Sequence, residues 1–151
     1  YERAYPELYD DSVRIDGSTM LPSVEIALAL QETGSAEAET PLLKRSLTAF
    51  QYAPWFGRFK YGPLDARIFI LSGDKQKALD ALRQAVNQGW RKDWWYYLKK
   101  DPALKRLREE PRYQAIIEEV GADMTRQLSR VREWEEQGKI SSVAEAVNTS
   151  L

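Results

Sequence analysis

Cysteine and histidine are both absent from the 151 residues of this chain. Without cysteine there is no disulfide, no thiolate nucleophile and no sulfur ligand for a structural zinc. Without histidine, the side chain best matched to proton transfer near neutral pH is missing too. Any catalysis would have to rest on carboxylates, Lys, Tyr, Ser or Thr. Lack of cysteine tolerates either redox compartment. Long apolar runs are also missing: no stretch of about 18 apolar residues occurs, so no membrane insertion by this chain is expected. The chain starts at Tyr1 rather than Met and carries no recognisable signal peptide. It therefore reads as an excised piece of a longer protein, with any targeting or membrane segment elsewhere.

Catalytic patterns are equally scarce. Gly73-Asp74-Lys75 lacks the upstream glycine and the hydroxyl residue of a phosphate-binding loop. No nucleophile elbow is present, and a Ser triad is excluded by the missing histidine. Paired acids such as Glu109-Glu110, Glu118-Glu119 and Glu135-Glu136 diverge by about 100° on a helix, so they do not converge on one atom. They read as solvated faces. The basic run Lys99, Lys100, Lys105, Arg106, Arg108, Arg112 carries no nucleic-acid motif, and no nucleic-acid partner is expected. The reading is of no catalytic residue, no metal site and no cofactor.

What is present suits a packed helical chain. Hydrophobic residues make up 43% and charged residues 30%, enough to bury a core. Five Trp and eight Tyr make aromatic packing a large part of that core. Residues 1–50 hold nine acids and four bases, residues 51–112 fourteen bases and seven acids, and residues 113–151 four bases and seven acids. Neutralisation between neighbouring elements is the simpler explanation of that pattern; a site for an anionic partner is the alternative.

Glycine and proline punctuate the chain into hairpins. After an N-terminal remnant (1–21), Pro22 suits a first helical position and Gly34 a helix stop. Thr40-Pro41 restarts a helix, with Leu42, Leu43, Leu47 and Phe50 as its apolar stripe and Pro54 as its end. A second hairpin opens at Pro63 and turns at Gly73. Asp74 caps the next helix, whose Ala78, Leu82, Ala85 and Val86 follow the 3.6-residue period up to Gly89. Strand alternation is nowhere sustained. Asp101-Pro102 opens a short helix with Leu104 and Leu107. Pro111 opens the longest one, in which Ile117, Val120, Met124, Gln127, Val131 and Trp134 form a heptad-like seam broken by Gln127. Gly138 ends it, and the tail 139–151 adds a last turn or frays.

Self-similarity organises these pieces. Superimposing Ala49 on Ala85 also places Leu42 on Ala78 and Pro54 on Trp90, close to the tetratricopeptide-repeat (TPR) unit of about 34 residues. Leu71 to Val86 resembles the turn and second helix of a TPR, with Ala78 and Ala85 as the small residues and Leu82 in the large apolar slot. The unit at 22–54 resembles it more loosely, with an insertion between Gly34 and Thr40. Gly89-Trp90, Trp94, Asp101-Pro102, Leu104, Leu107-Arg108 and Pro111-Arg112-Tyr113 are similar to a C-terminal ending of bacterial TPR arrays. That ending resembles the C-terminal part of CadC-type transmembrane winged-helix regulators and of class III adenylate cyclases with TPRs. The resemblance implies an all-α, TPR-like array of about two repeats (22–54 and 63–90), a capping region with a long C-terminal helix (91–138), and a DNA-binding or cyclase module outside this chain. It places the chain in the periplasm if CadC-like, and otherwise in the cytoplasm.

The expected function is a non-catalytic protein-interaction or sensory scaffold in a bacterial signalling protein. Each hairpin must stack on a neighbour, and terminal repeats need a cap. Trp94, Trp95, Tyr96 and Tyr97 cannot all face inward on one helix, so Trp94, Trp95 and Tyr97 become candidate partner contacts, with Arg67 from the presumed groove. The other groove residues, Glu25, Gln31, Glu32 and Asp65, do not resemble a carboxylate clamp. The long helix either fills that groove or pairs with a second chain through Ile117, Val120, Met124, Val131 and Trp134. A homodimerisation domain is therefore the alternative reading.

Overall fold

A computed structural model of the chain describes residues 3–10, 12–34, 36–52 and 63–141, with the backbone alone at 36–40 and 51. The described residues form helices and turns, with no strand among them: α1 (Met20–Glu32), α2 (Ala36–Tyr52), α3 (Leu64–Leu71), α4 (Lys75–Asn87), α5 (Trp94–Lys99) and α6 (Pro111–Glu136), plus 3-10 turns at Pro6–Tyr9 and Leu104–Leu107. The all-α class expected from the sequence is what the chain adopts. Its contacts divide it into two compact units, Tyr1–Ile116 and Ile117–Leu151.

Within the first unit, α1 packs along α2 and α3 along α4, and α3 also touches both α1 and α2. Short connections between the members of each pair make them antiparallel neighbours. Ser23 and Ser46 face each other across the first pair, fully buried, with their hydroxyl oxygens 2.8 Å apart. Small side chains at that crossing let the two backbones approach. Gln31 Nε2 donates to the Leu71 carbonyl at 2.6 Å and ties the end of α1 to the end of α3. In α4, Ala78, Leu79, Ala81, Leu82, Ala85 and Val86 are all buried.

The chain ahead of α1 is an integral part of this unit rather than a remnant. Leu8 and Ile15 are buried in it. The Arg45 guanidinium of α2 donates to the carbonyls of Leu8 (3.1 Å) and Val13 (2.6 Å), fastening the segment down. Asp16 then starts α1. Its Oδ1 accepts from the Ser18 and Thr19 amides and from both of their hydroxyls. The helix consequently begins at Met20, and Pro22 lies within its first turn, where the missing N–H has no helical partner to lose.

The start of α2 also departs from the sequence reading. It begins at Ala36, and Pro41 lies inside it. Residues 36–40 alternate Ala and Glu ahead of Thr40. Both are strong helix formers, and Glu near a helix N-terminus is favoured by the dipole. That extra turn outweighs the hydrogen bond that Pro41 cannot donate. The stretch read as an insertion is therefore helix. The expected stop at Pro54, the Thr40 side chain and the tail beyond Ser141 lie outside the described residues.

Elsewhere the punctuation acts as expected. Gly73, at φ 82°, takes the left-handed conformation that a helix stop requires, and Asp74 N–H reaches back to the Phe69 carbonyl at 2.9 Å. Asp74 Oδ1 in turn accepts from Lys77 N–H at 3.0 Å and caps α4. Gly138, at φ 65°, closes α6 in the same manner, with Lys139 N–H on the Trp134 carbonyl at 2.9 Å. Asp101-Pro102 opens a 3-10 turn whose Leu104 and Leu107 are both fully buried.

Candidate functional site

Arg67 is the first candidate, and its placement corrects the sequence reading. It is 1% exposed, so no partner reaches it. Nη2 donates to Glu25 Oε1 of α1 at 2.8 Å. Nε lies 3.0 Å from Asp101 Oδ2, an ion pair whose N–H points too far off line to count as a hydrogen bond. Asp101 Oδ1 accepts from Leu104 N–H at 3.0 Å. Arg67 therefore joins α1, α3 and the turn after α5. Burial pushes the Asp101 carboxyl up, while Arg67 and the Leu104 amide pull against it. Sequence reasoning placed Arg67 correctly on α3. It missed Asp101 as the counterion, because a polar side chain on an apolar helix face carries no mark of what lies opposite.

The aromatic run is split by the geometry of α5. Leu98 is buried, and about 200° round the helix from it lies Tyr96. Trp95 is 52% and Tyr96 48% exposed. Trp94 is half-buried with the Lys99 ammonium 5.5 Å from its ring centre, and Lys100 lies 5.3 Å from that of Trp95. Tyr97 packs inward, edge-on to the buried Trp90 at 5.9 Å and to Tyr96 at 5.4 Å. Burial raises the pKa of its phenol above the ordinary value. Of the three aromatic candidates, Trp95 is the one presented to solvent. Tyr96 joins it, and reading Leu98 as the inward residue would have found it.

The third candidate is the stripe of α6. At about 100° per residue, Tyr113, Ile116, Ile117, Val120, Met124, Leu128, Val131 and Trp134 share one side of the helix. Their burial fades along the chain. Tyr113, Ile116 and Val120 are buried, Ile117 and Met124 half-buried, and Leu128, Val131 and Trp134 are 50%, 40% and 40% exposed. Leu128 supplies an apolar residue one position beyond Gln127, where the heptad reading is broken, and lies at the edge of the same side of the helix. Asp123 and Arg130 share one flank. Asp123 accepts from Arg126 at 3.2 Å and from Gln127 at 3.1 Å, and the Arg130 guanidinium lies 5.9 Å from the Trp134 ring centre.

No protein-family model, no curated protein and no solved structure matches the chain. Among the described residues, no group of three or more acids is placed to hold a metal ion, and no helix is long and apolar enough to cross a membrane.

Proposed function

We propose that this chain is a non-catalytic, TPR-like scaffold of a bacterial signalling protein that assembles by pairing its distal α6 with that of a second copy. The observation that carries this reading is the exposed stripe of Leu128, Val131 and Trp134 on a regular helix. Two antiparallel hairpins in succession, with α3 touching both members of the first, support the TPR-like part. The unfilled stripe favours self-association over a peptide held in the groove.

Charge complementarity argues for a second copy as the occupant. Asp123 and Arg130 lie on the same flank, two turns apart. An antiparallel copy centred between Arg126 and Gln127 sets each Asp123 against the other chain's Arg130, so both ion pairs form at once. The paired segment, from Ile117 to the end of α6, is about 30 Å long at 1.5 Å per residue. Trp134 and Val131 at its ends supply the aromatic and branched side chains that anchor such interfaces.

The test is the mass in solution of the wild type and of Leu128→Glu/Val131→Glu, by light scattering at high micromolar concentration. A wild-type dimer that becomes a folded monomer is the expected result. A monomeric wild type at that concentration would sink the pairing. Turnover of any substrate by the isolated chain would overturn the non-catalytic reading.

A further inference from the structure

The first unit contains a cavity that none of these contacts uses. It measures about 550 Å³ and lies between residues 12–15 and the outer face of α2, within the range of small-molecule sites. Its floor is apolar: Ile15 is buried, and Val13, Pro41 and Ala49 are half-buried. Arg14 and Lys44 are the exposed cations of its lining, and neither has an ion-pair partner among the described residues. Among the described residues, no carboxylate lines it.

The hydrogen-bonding groups limit what can enter. Arg45 also lines the cavity, with its terminal nitrogens donated to the Leu8 and Val13 carbonyls. It contributes charge from beneath, partly offset by Asp10 nearby. The Thr48 hydroxyl donates to the Lys44 carbonyl, and the Ser12 hydroxyl to Asp10. With their protons committed, both hydroxyls can only accept, and they offer an anion nothing. Arg14 and Lys44 are the exposed cations that can meet negative charge in this hollow, above a floor that favours carbon. A concave, low-dielectric wall carrying one sign of charge concentrates the opposite ion.

We infer that the hollow between the N-terminal segment and α2 binds a small amphipathic organic anion, with a carboxylate or phosphate head at Arg14 and Lys44 and an apolar body against Val13, Ile15 and Ala49. Because both walls belong to the first unit, the inference stands or falls independently of pairing through α6. Occupancy would fasten residues 12–15 more tightly to α2, which makes binding visible as stabilisation.

The experiment titrates the full chain with phenyl phosphate, and in parallel with inorganic phosphate and with benzyl alcohol, by calorimetry and by amide chemical shifts. The expected result is binding of phenyl phosphate at least about tenfold tighter than either fragment, weakened by salt, with shifts at residues 12–15 and 41–52. Arg14→Gln/Lys44→Gln should lower its affinity about tenfold or more. Thr48→Trp should abolish binding by filling the mouth, with the folded circular dichroism spectrum retained. The inference is overturned if inorganic phosphate or benzyl alcohol binds as well as the conjugate, or if the charge-removing pair leaves the affinity unchanged. Should Thr48→Trp misfold, the charge-removing pair alone decides, since both of its side chains are exposed.

Discussion

Helix α4 and the distal half of α6 carry the same kind of apolar stripe and meet opposite fates. In α4 every member of the stripe is covered, Leu82 completely. In α6 the stripe runs out of cover after Val120 and ends on the exposed Leu128, Val131 and Trp134. Both helices close with the same left-handed glycine, at Gly89 and Gly138. Helical period identifies which side of a helix is apolar and says nothing about what lies against it. A stripe covered within its own chain contributes to folding, and one left bare is available for association.

Four changes break or sharpen this contrast. The largest effect is expected from Arg67→Met, which strands the buried Asp101 carboxylate without its counterion. Breaking such a pair costs about 3–5 kcal/mol, to be read from urea unfolding, whereas an effect under about 1 kcal/mol would mean the pair is not desolvated. Next is Leu82→Ala in the covered stripe, expected to cost about 2–5 kcal/mol.

The third concerns pH. Asp16 is held at about 2 by its hydrogen bonds to Ser18 and Thr19, and Asp10 and Asp74 are lowered by bonds from Ser12 and Lys77. Each folded value lies below the ordinary 3.8, so their contribution is complete above 3.8 and is lost as pH falls towards about 2. Asp101 has the opposite sign: its raised folded value favours the fold below 3.8, and that benefit disappears as pH rises through it. The three lowered groups, Asp10, Asp16 and Asp74, all lie in the first unit, so acid unfolding should begin there. Asp16→Ala should flatten the loss of melting temperature between pH 4 and pH 2, and an unchanged acid limb would remove Asp16 from the account. The smallest effect is expected from Leu128→Ala, within about 0.5 kcal/mol of wild type when measured at monomer concentration. A cost equal to that of Leu82→Ala would show the distal stripe to be covered in the single chain.

Much of this architecture was legible in the sequence because it rests on local physics. Gly73 and Asp74 mark the α3–α4 turn by backbone freedom and capping, and Pro111 marks the first position of α6. Ala78, Leu82 and Ala85 were readable as an inward face from spacing alone. The start of α2 was not, because Pro41 gave a start signal that the four good helix formers at 36–39 override. Asp16 was missed for a related reason. Its hydrogen bonds to Ser18 and Thr19 are local, but the segment looked like a remnant until Arg45, far along the chain, fastened it down.

The candidate sites depended more heavily on the fold. Trp95 could be named from crowding, since four successive aromatics cannot share one side of a helix. Tyr96 required knowing that Leu98 points inward. Arg67 looked like a groove residue and proved to be an internal ion-pair partner, because only the third dimension brings Glu25 and Asp101 to it. The hollow beside α2 had no signal in sequence, since its walls come from segments about thirty residues apart that Arg45 holds together.

By itself, then, the sequence determined the all-α class, the places where helices stop, and the apolar side of each one. These follow from dihedral preference, capping and period, which act over a few residues. Tertiary structure decided which apolar sides are covered, that Arg67 is buried against Asp101, and that a cationic hollow opens between the first segment and α2. Those outcomes depend on desolvation and packing between residues distant in the chain, and no local pattern encodes what stands opposite.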